Sequence, residues 1–260
     1  MRQTITILVA MLTVALSPVT GAAQMAITSI DLTALQVGAP PAGFAFGRTG
    51  QGTQGQWLVV QDASAAQGRA IAQTSADTTD YHFPLAIYQG VNASDVAVTL
   101  RFKPVAGKVD QAGGIAVRLA SPDDYYVVRA NALEDNVRFY RVVKGRRQQI
   151  EGVNTKVASG QWHDLALRAE GNRFTISFDG KTLFTATDAT FANAGKVALW
   201  TKADSVTSSS VSRSCKDLIR RLMPSSRRGC SRSPGWCESS SWRPLSPVVA
   251  VSGGRGPGSD

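Results

Sequence analysis

Five residues between positions 118 and 140 have the types and spacing to hold a polyhydroxylated ligand: Arg118, Tyr125, Arg129, Arg138 and Tyr140. Aromatic rings stack on the apolar face of a sugar, and guanidinium groups donate several hydrogen bonds to hydroxyls or acidic groups. The competing reading of the same residues is a solvated sheet face with cross-strand packing. Hydrolytic chemistry is harder to place. Retaining cleavage of a glycosidic bond takes two carboxylates about 5 Å apart, but Glu134 and Asp135 are chain neighbours and on a strand would point to opposite faces. Asp123, Asp124, Glu134 and Asp135 lie in adjacent turns, where carboxylate oxygens could hold calcium or simply cap the turns; no cofactor is assigned. Of the two histidines, His163 falls on a core-facing position beside Leu165. Trp57, Trp162 and Trp200 read as core or rim anchors. No nucleophile, metal-ligand set or phosphate loop stands out, and no catalytic residue is assigned.

The elements that must position these residues are strands. From Gly113 to Thr201, short runs of alternating apolar residues are separated by turn chemistry, with Gly-Asn and Asp-Gly as the sharpest hairpin signals. In DVAVTLRFKP, Val96, Val98, Leu100 and Phe102 share one side, a period of two that implies one buried face. A turn at SPDD sets Leu119 near Tyr126, Val117 near Val128 and Ile115 near Ala130 on the core side, with Val137 and Phe139 continuing it. The opposite side then collects the arginines and tyrosines. Around His163, the residues Leu165 and Leu167 face Phe174, Ile176 and Phe178. About a dozen strands and no convincing amphipathic helix predict two packed antiparallel sheets.

Charge and cysteine are unevenly distributed. The net charge is +9, but the segment from Ser208 onward carries nine bases against three acids and all three cysteines. The strand-rich body is nearly neutral, so its charge points to no nucleic acid. Residues 1–23, an Arg followed by ITILVAMLTVAL and small residues, have the layout of a secretory signal, too short to span a bilayer comfortably. No later stretch qualifies as a transmembrane helix, and the expected location is secreted or periplasmic. The organisation expected is a signal at 1–23, one domain at 24–207 and a disordered basic Ser/Arg/Pro/Gly tail at 208–260. The tail is either an interaction segment or the product of a shifted reading frame.

Gly114-Ile115 with Arg118, Asp124-Tyr125-Tyr126-Val127-Val128-Arg129, Asn136-Val137 with Tyr140, Gly160-Gln161-Trp162-His163, Phe178-Asp179-Gly180 and Gly195-Lys196-Val197 with Leu199-Trp200-Thr201 resemble the concanavalin A-like lectin/glucanase superfamily. Within it the chain is most similar to laminin-G-like and 3-keto-disaccharide-hydrolase-like domains of exported bacterial proteins. The resemblance covers about 27–207 and implies an all-β jelly-roll sandwich with a concave sheet that often meets carbohydrate. It also implies a last strand with an aromatic residue, Phe and two acids after Thr207, where Ser208-Ser209-Ser210 stands instead. The Glu-x-Asp-x-x-Glu string of the superfamily's hydrolases is absent. The expected function is a non-catalytic carbohydrate-binding or adhesion-like module whose partner is a carbohydrate or glycoconjugate. The alternatives are a glycoside-processing hydrolase of the 3-keto-disaccharide type and a structural envelope protein without a small ligand.

Overall fold

A computed structural model describes residues 25–28, 30–210 and 249–252. Two antiparallel sheets pack face to face. The nine-stranded sheet holds β1 (Met25–Thr28), β3 (Trp57–Gln61), β4 (Arg69–Gln73), β6 (Asp95–Ala106), β11 (His163–Glu170), β12 (Arg173–Phe178), β13 (Lys181–Thr187), β15 (Val206–Ser210) and β16 (Val249–Ser252). Its path runs β13-β12-β11-β6-β15-β4-β3, while β16 pairs with β6 and with β1. The seven-stranded sheet holds β2 (Phe44–Gly50), β5 (His82–Ala93), β7 (Ala112–Ser121), β8 (Asp124–Asn131), β9 (Asn136–Val143), β10 (Arg146–Asn154) and β14 (Gly195–Thr201), in the order β10-β9-β8-β7-β14-β5-β2. This is the jelly-roll sandwich expected of the alternating pattern. Among the described residues the helical structure is one 3-10 turn, Leu32–Ala34, in which the Thr33 N–H donates to the Asp31 carboxylate and the Leu32 N–H to Gln67 Oε1.

Between the sheets lies the main core. Val96, Val98, Leu100 and Phe102 of β6 and Leu165 and Leu167 of β11 meet Ile115, Val117, Tyr126, Val128, Val137 and Phe139 from the opposite sheet. Leu165 pairs with Phe178 and Leu167 with Ile176, as the pattern predicts. The β7–β8 register departs from expectation. Ser121 opposes Asp124 at the tip, but beyond an irregularity Val117 opposes Tyr126 and Ile115 opposes Val128, an offset of two residues. A two-residue offset keeps each side chain on its face, so the core assignment survives. The exceptions sit in the irregularity itself. Arg118 adopts φ 49°, which reverses the local alternation, and Leu119 joins the cluster on the far side of the sheet.

Two boundaries are corrected. The domain does not end at Thr207, because Ser208 and Ser209 pair with Ala72 and Ile71 of β4, and Ser208 to Ser210 pair with Lys103 to Arg101 of β6. The last strand is therefore present, with buried serines in place of the expected aromatic residue, Phe and two acids. Nor is all of 208–260 outside the fold. The strand 249–252 pairs with residues 95–98 of β6. It lies in the apolar, β-branched stretch of a segment otherwise rich in Ser, Arg, Pro and Gly, and such residues favour a strand. The signal expected at 1–23 and the remainder of the tail lie outside the described residues.

Candidate functional site

The seven-stranded sheet is coiled strongly enough that two of its diagonal corners meet. Between β2 and β8 lie four inter-strand steps, about 19 Å if the sheet were flat, which exceeds the combined reach of a threonine and a tyrosine. Yet Thr49 Oγ1 lies 2.7 Å from Tyr125 Oη and donates to the Pro122 carbonyl at 2.5 Å. Tyr81, just before β5, donates to the Gly145 carbonyl at 2.9 Å and accepts from the Arg147 N–H at 2.8 Å. Accumulated strand twist rotates β2 across β8, so the face that carries Tyr125 is concave and partly closed.

Inside this curl lies a second core. Phe83 stacks on Trp200 with centroids 5.3 Å apart, and both join Leu85, Ala116, Tyr125, Val127, Tyr140 and Val142. Tyr125 is 0 % exposed. Its hydroxyl accepts from Trp200 Nε1 at 3.3 Å, and burial pushes its pKa up to about 12. It cannot serve as a sugar platform, which corrects that expectation. Tyr140, at 8 % exposure, is no open platform either. The guanidinium carbons of Arg129 and Arg147 lie 5.8 and 4.5 Å from its ring centroid.

Of the five residues singled out in the sequence, Tyr125, Arg129, Arg138 and Tyr140 do share the concave face, with Arg129 opposite Arg138 and Val127 opposite Tyr140. Arg118 does not. The bulge turns it toward the end of the sandwich, where Nε donates to the Ser94 carbonyl and Nη1 to the Phe191 carbonyl, both at 2.7 Å, while Nη2 donates to the Gly171 carbonyl. A guanidinium spent on three loop carbonyls and packed 5.3 Å over Phe174 is a staple, not a ligand group.

What remains at the open end of the concave face is a polar notch. Arg129 is buried and donates to Glu134 Oε2 at 2.7 Å, to Asn136 Oδ1 and to Tyr140 Oη at 3.2 Å. Its Nε has no partner among the described residues. Burial works against ionisation of Glu134, but the hydrogen bond from Asn136 and the Arg129 charge outweigh it and lower its pKa. Deeper in the fold, Asp110 accepts from Asn131 at 2.6 Å and pairs with Lys202. Burial raises its pKa in spite of that lysine. Arg138 lies half-buried against Gly152, where a Cβ would run into its Cδ, and donates to Asn154 Oδ1 at 2.6 Å. Gln149 opposes Tyr140 on the edge strand β10 and is exposed.

Arg147, Gln149 and Asn154 were not among the sequence candidates. They belong to RRQQIEGVN, which lacks apolar alternation because β10 is an edge strand. The signal that finds it is Lys144-Gly145, both at positive φ, the mark of a tight hairpin turn that fixes the register of β10 against β9.

Asp124 and Asp135, also considered for calcium, are engaged within the chain. Asp124 accepts from the Lys144 N–H and from Ser121, and Asp135 accepts from the Val157 N–H and Lys156. Among the described residues no group of three or more His, Cys, Asp or Glu gathers as a metal site. His163 is structural: Nδ1 lies 2.8 Å from Asp179 Oδ2, and the ring stacks on Phe178. Trp57 and Trp200 are core residues, while Trp162 sits at the rim with Nε1 bonded to Ser64. A separate cleft, lined by Ile30, Phe44, Tyr88, Leu100, Ile115 and Leu199, is almost wholly apolar and offers nothing to orient a sugar.

With this geometry the fold is set beside known structures. A carbohydrate binding module, CBM66, from Bacillus subtilis superposes with a TM-score of 0.51 at 20 % identity, covering 64 % of this chain and 91 % of that one. The fold is the concanavalin A-like sandwich. A Bacillus licheniformis β-glucanase (TM-score 0.44, 14 % identity, 73 % of this chain and 95 % of that one) and the Caenorhabditis elegans galectin LEC-6 (0.38, 18 %, 50 % and 89 %) are also similar. No protein-family model and no curated protein sequence matches the chain.

Proposed function

We propose that the chain is an exported, non-catalytic carbohydrate-binding or adhesion-like module that meets a glycan or glycoconjugate at the open end of its concave sheet. The observation that carries this reading is the notch itself. A network of Arg129, Glu134, Asn136 and Tyr140 forms its floor, and Arg138, Gln149 and Asn154 present side-chain donors and acceptors at its rim. Fixed polar groups on rigid strands suit hydroxyl recognition, since each donor left unpaired by a wrong ligand costs binding. The likeness to a carbohydrate binding module is in keeping with it.

A binding role is favoured over a hydrolytic one by the placement of the carboxylates. Glu134 and Asp110 have pKa values pushed in opposite directions, the arrangement an acid and base pair requires, but Asp110 is 0 % exposed and faces Asn131 and Lys202. Enclosed by these two partners, the Asp110 carboxyl presents no surface to a glycosidic oxygen. Among the described residues no helix is long and apolar enough to cross a membrane, in keeping with a secreted or periplasmic location.

A glycan array run beside hydrolysis assays on glycosides and 3-keto-glycosides tests the proposal. Glycan retention without turnover is the expected result. Turnover reinstates the hydrolase, and silence in both assays points to a structural envelope protein.

A further inference from the structure

The charges on the concave face do not balance, and the imbalance points to the ligand. Among the described residues five cations face it: Lys196, which donates to the Gln89 carbonyl, and Arg129, Arg138, Arg147 and Lys202. Two carboxylates answer them, Glu134 on Arg129 and Asp110 on Lys202. Arg138 and Arg147 form no ion pair with any described residue. Arg138 meets only neutral oxygens, Asn154 Oδ1 and, at 3.4 Å, the Val137 carbonyl. Among the same residues the side chain of Arg147 forms no hydrogen bond. Its guanidinium carbon lies 4.7 Å from the Phe83 centroid and 4.5 Å from that of Tyr140, and Nη1 is buried without a partner.

Arg138 and Arg147 lie on the same face as Tyr140, Arg138 farther along β9 with its guanidinium on Asn154 and Arg147 opposite Val142 with its guanidinium over the Tyr140 ring. Gly152 opposite Arg138 keeps the room its stem occupies. A guanidinium presents paired N–H donors in a rigid fork that matches a carboxylate, whereas a neutral hydroxyl uses only part of it.

Building on the carbohydrate-binding reading, we propose that the notch selects a sugar bearing a carboxylate, a uronic-acid-containing glycan, with Arg138 and Arg147 as the residues that receive the acidic group. Glu134 is tied to Arg129 and Asn136, so it does not pair with either of the two arginines. Specificity then resides in charge and in the planar fork, not in aromatic stacking, which the burial of Tyr125 and Tyr140 precludes.

Matched polymers that differ only in the acidic group provide the test. The full chain is titrated calorimetrically with oligogalacturonate and its methyl ester, and with glucuronoxylan and unsubstituted xylan, at low and raised salt. The acidic member of at least one pair is expected to bind about tenfold or more tightly, with the advantage shrinking as salt is raised. Arg138→Gln, and Arg147→Lys, which keeps the charge but loses the fork, should each erase most of that advantage with folding checked by thermal melt. Equal affinity for acidic and neutral members overturns the acidic assignment and leaves carbohydrate binding standing. Retention of no glycan in the array or here overturns both. Acid-selective binding that persists in the Arg138→Gln/Arg147→Gln double variant assigns the selectivity to the basic C-terminal segment and also overturns the proposal.

Discussion

Replacing Tyr125 tests whether the concave face is a core or an open platform. Tyr125→Ala removes a fully buried ring from a cluster with Trp200, Phe83 and Val142, and large-to-small changes of this size cost about 3 to 5 kcal/mol. Tyr125→Phe is the finer probe. Thr49 keeps the Pro122 carbonyl as its acceptor, but the indole N–H of Trp200 loses its partner, a cost of about 1 to 3 kcal/mol. The hydroxyl also sets an alkaline limit. Its pKa rises from 10.0 to about 12 because burial disfavours the phenolate. Below pH 10 both folded and unfolded chains keep this proton; between 10 and 12 the unfolded chain gives it up and the folded chain does not. Stability is therefore lost as pH rises, by about 1.4 kcal/mol per pH unit and on the order of 2.7 kcal/mol in all. Urea unfolding of parent and Tyr125→Phe from pH 8 to 11.5 should show the variant less stable at pH 8 and the gap narrowing above pH 10. A gap that stays constant with pH, or a Tyr125→Ala variant with an unchanged melting temperature, refutes the second core.

Three further outcomes rest on named contacts. Arg118→Met should cost about 2 to 3 kcal/mol in chemical unfolding, because three loop carbonyls lose a charged donor, and should leave glycan affinity unchanged. Asp204 accepts from the N–H groups of Lys108, Val109 and Asp110; burial opposes its ionisation, but these bonds outweigh it and hold its pKa below the usual 3.8. Its contribution is present above that pH and lost as pH falls, so Asp204→Asn should destabilise at pH 7 and converge on the parent in acid melts. Ser210 buries a hydroxyl with no partner among the described residues, so Ser210→Ala should raise stability by about 1 kcal/mol, read as a higher denaturant midpoint.

The two sheets are legible in the chain because β6, β11 and β12 each bury one face, and a period of two then states the register directly. The concave face misleads for the same reason. In β7, β8 and β14 the runs GGIAV, YYVV and VALW are apolar at both parities, which marks strands covered on both sides. Alternation alone reads their second face as exposed, and Tyr125 with it. Arg118 is misplaced because a bulge is a property of backbone dihedrals, to which side-chain pattern is blind. The notch residues of β10 escape because a polar edge strand resembles a loop. Ser208-Ser209-Ser210 escape because composition argues against a strand that its neighbours, β4 and β6, nonetheless hydrogen-bond on both sides.

The partners of β6 also dictate an order of assembly. The strands of the seven-stranded sheet have all been made once Thr201 has emerged, and their pairings can form from that stretch alone. One edge of β6 must wait longer, since residues 101–106 pair with 206–210 and residues 95–98 with 249–252. Contacts so distant in sequence close late and slowly. A chain that emerges from its N-terminus therefore passes through a stage with one sheet closed and the other presenting bare N–H and C=O groups along β6, a template for any extended segment nearby. A chain cut short anywhere between residues 210 and 249 would cover residues 101–106 but leave 95–98 of β6 without that partner, and self-association, not loss of the concave notch, would be its first defect.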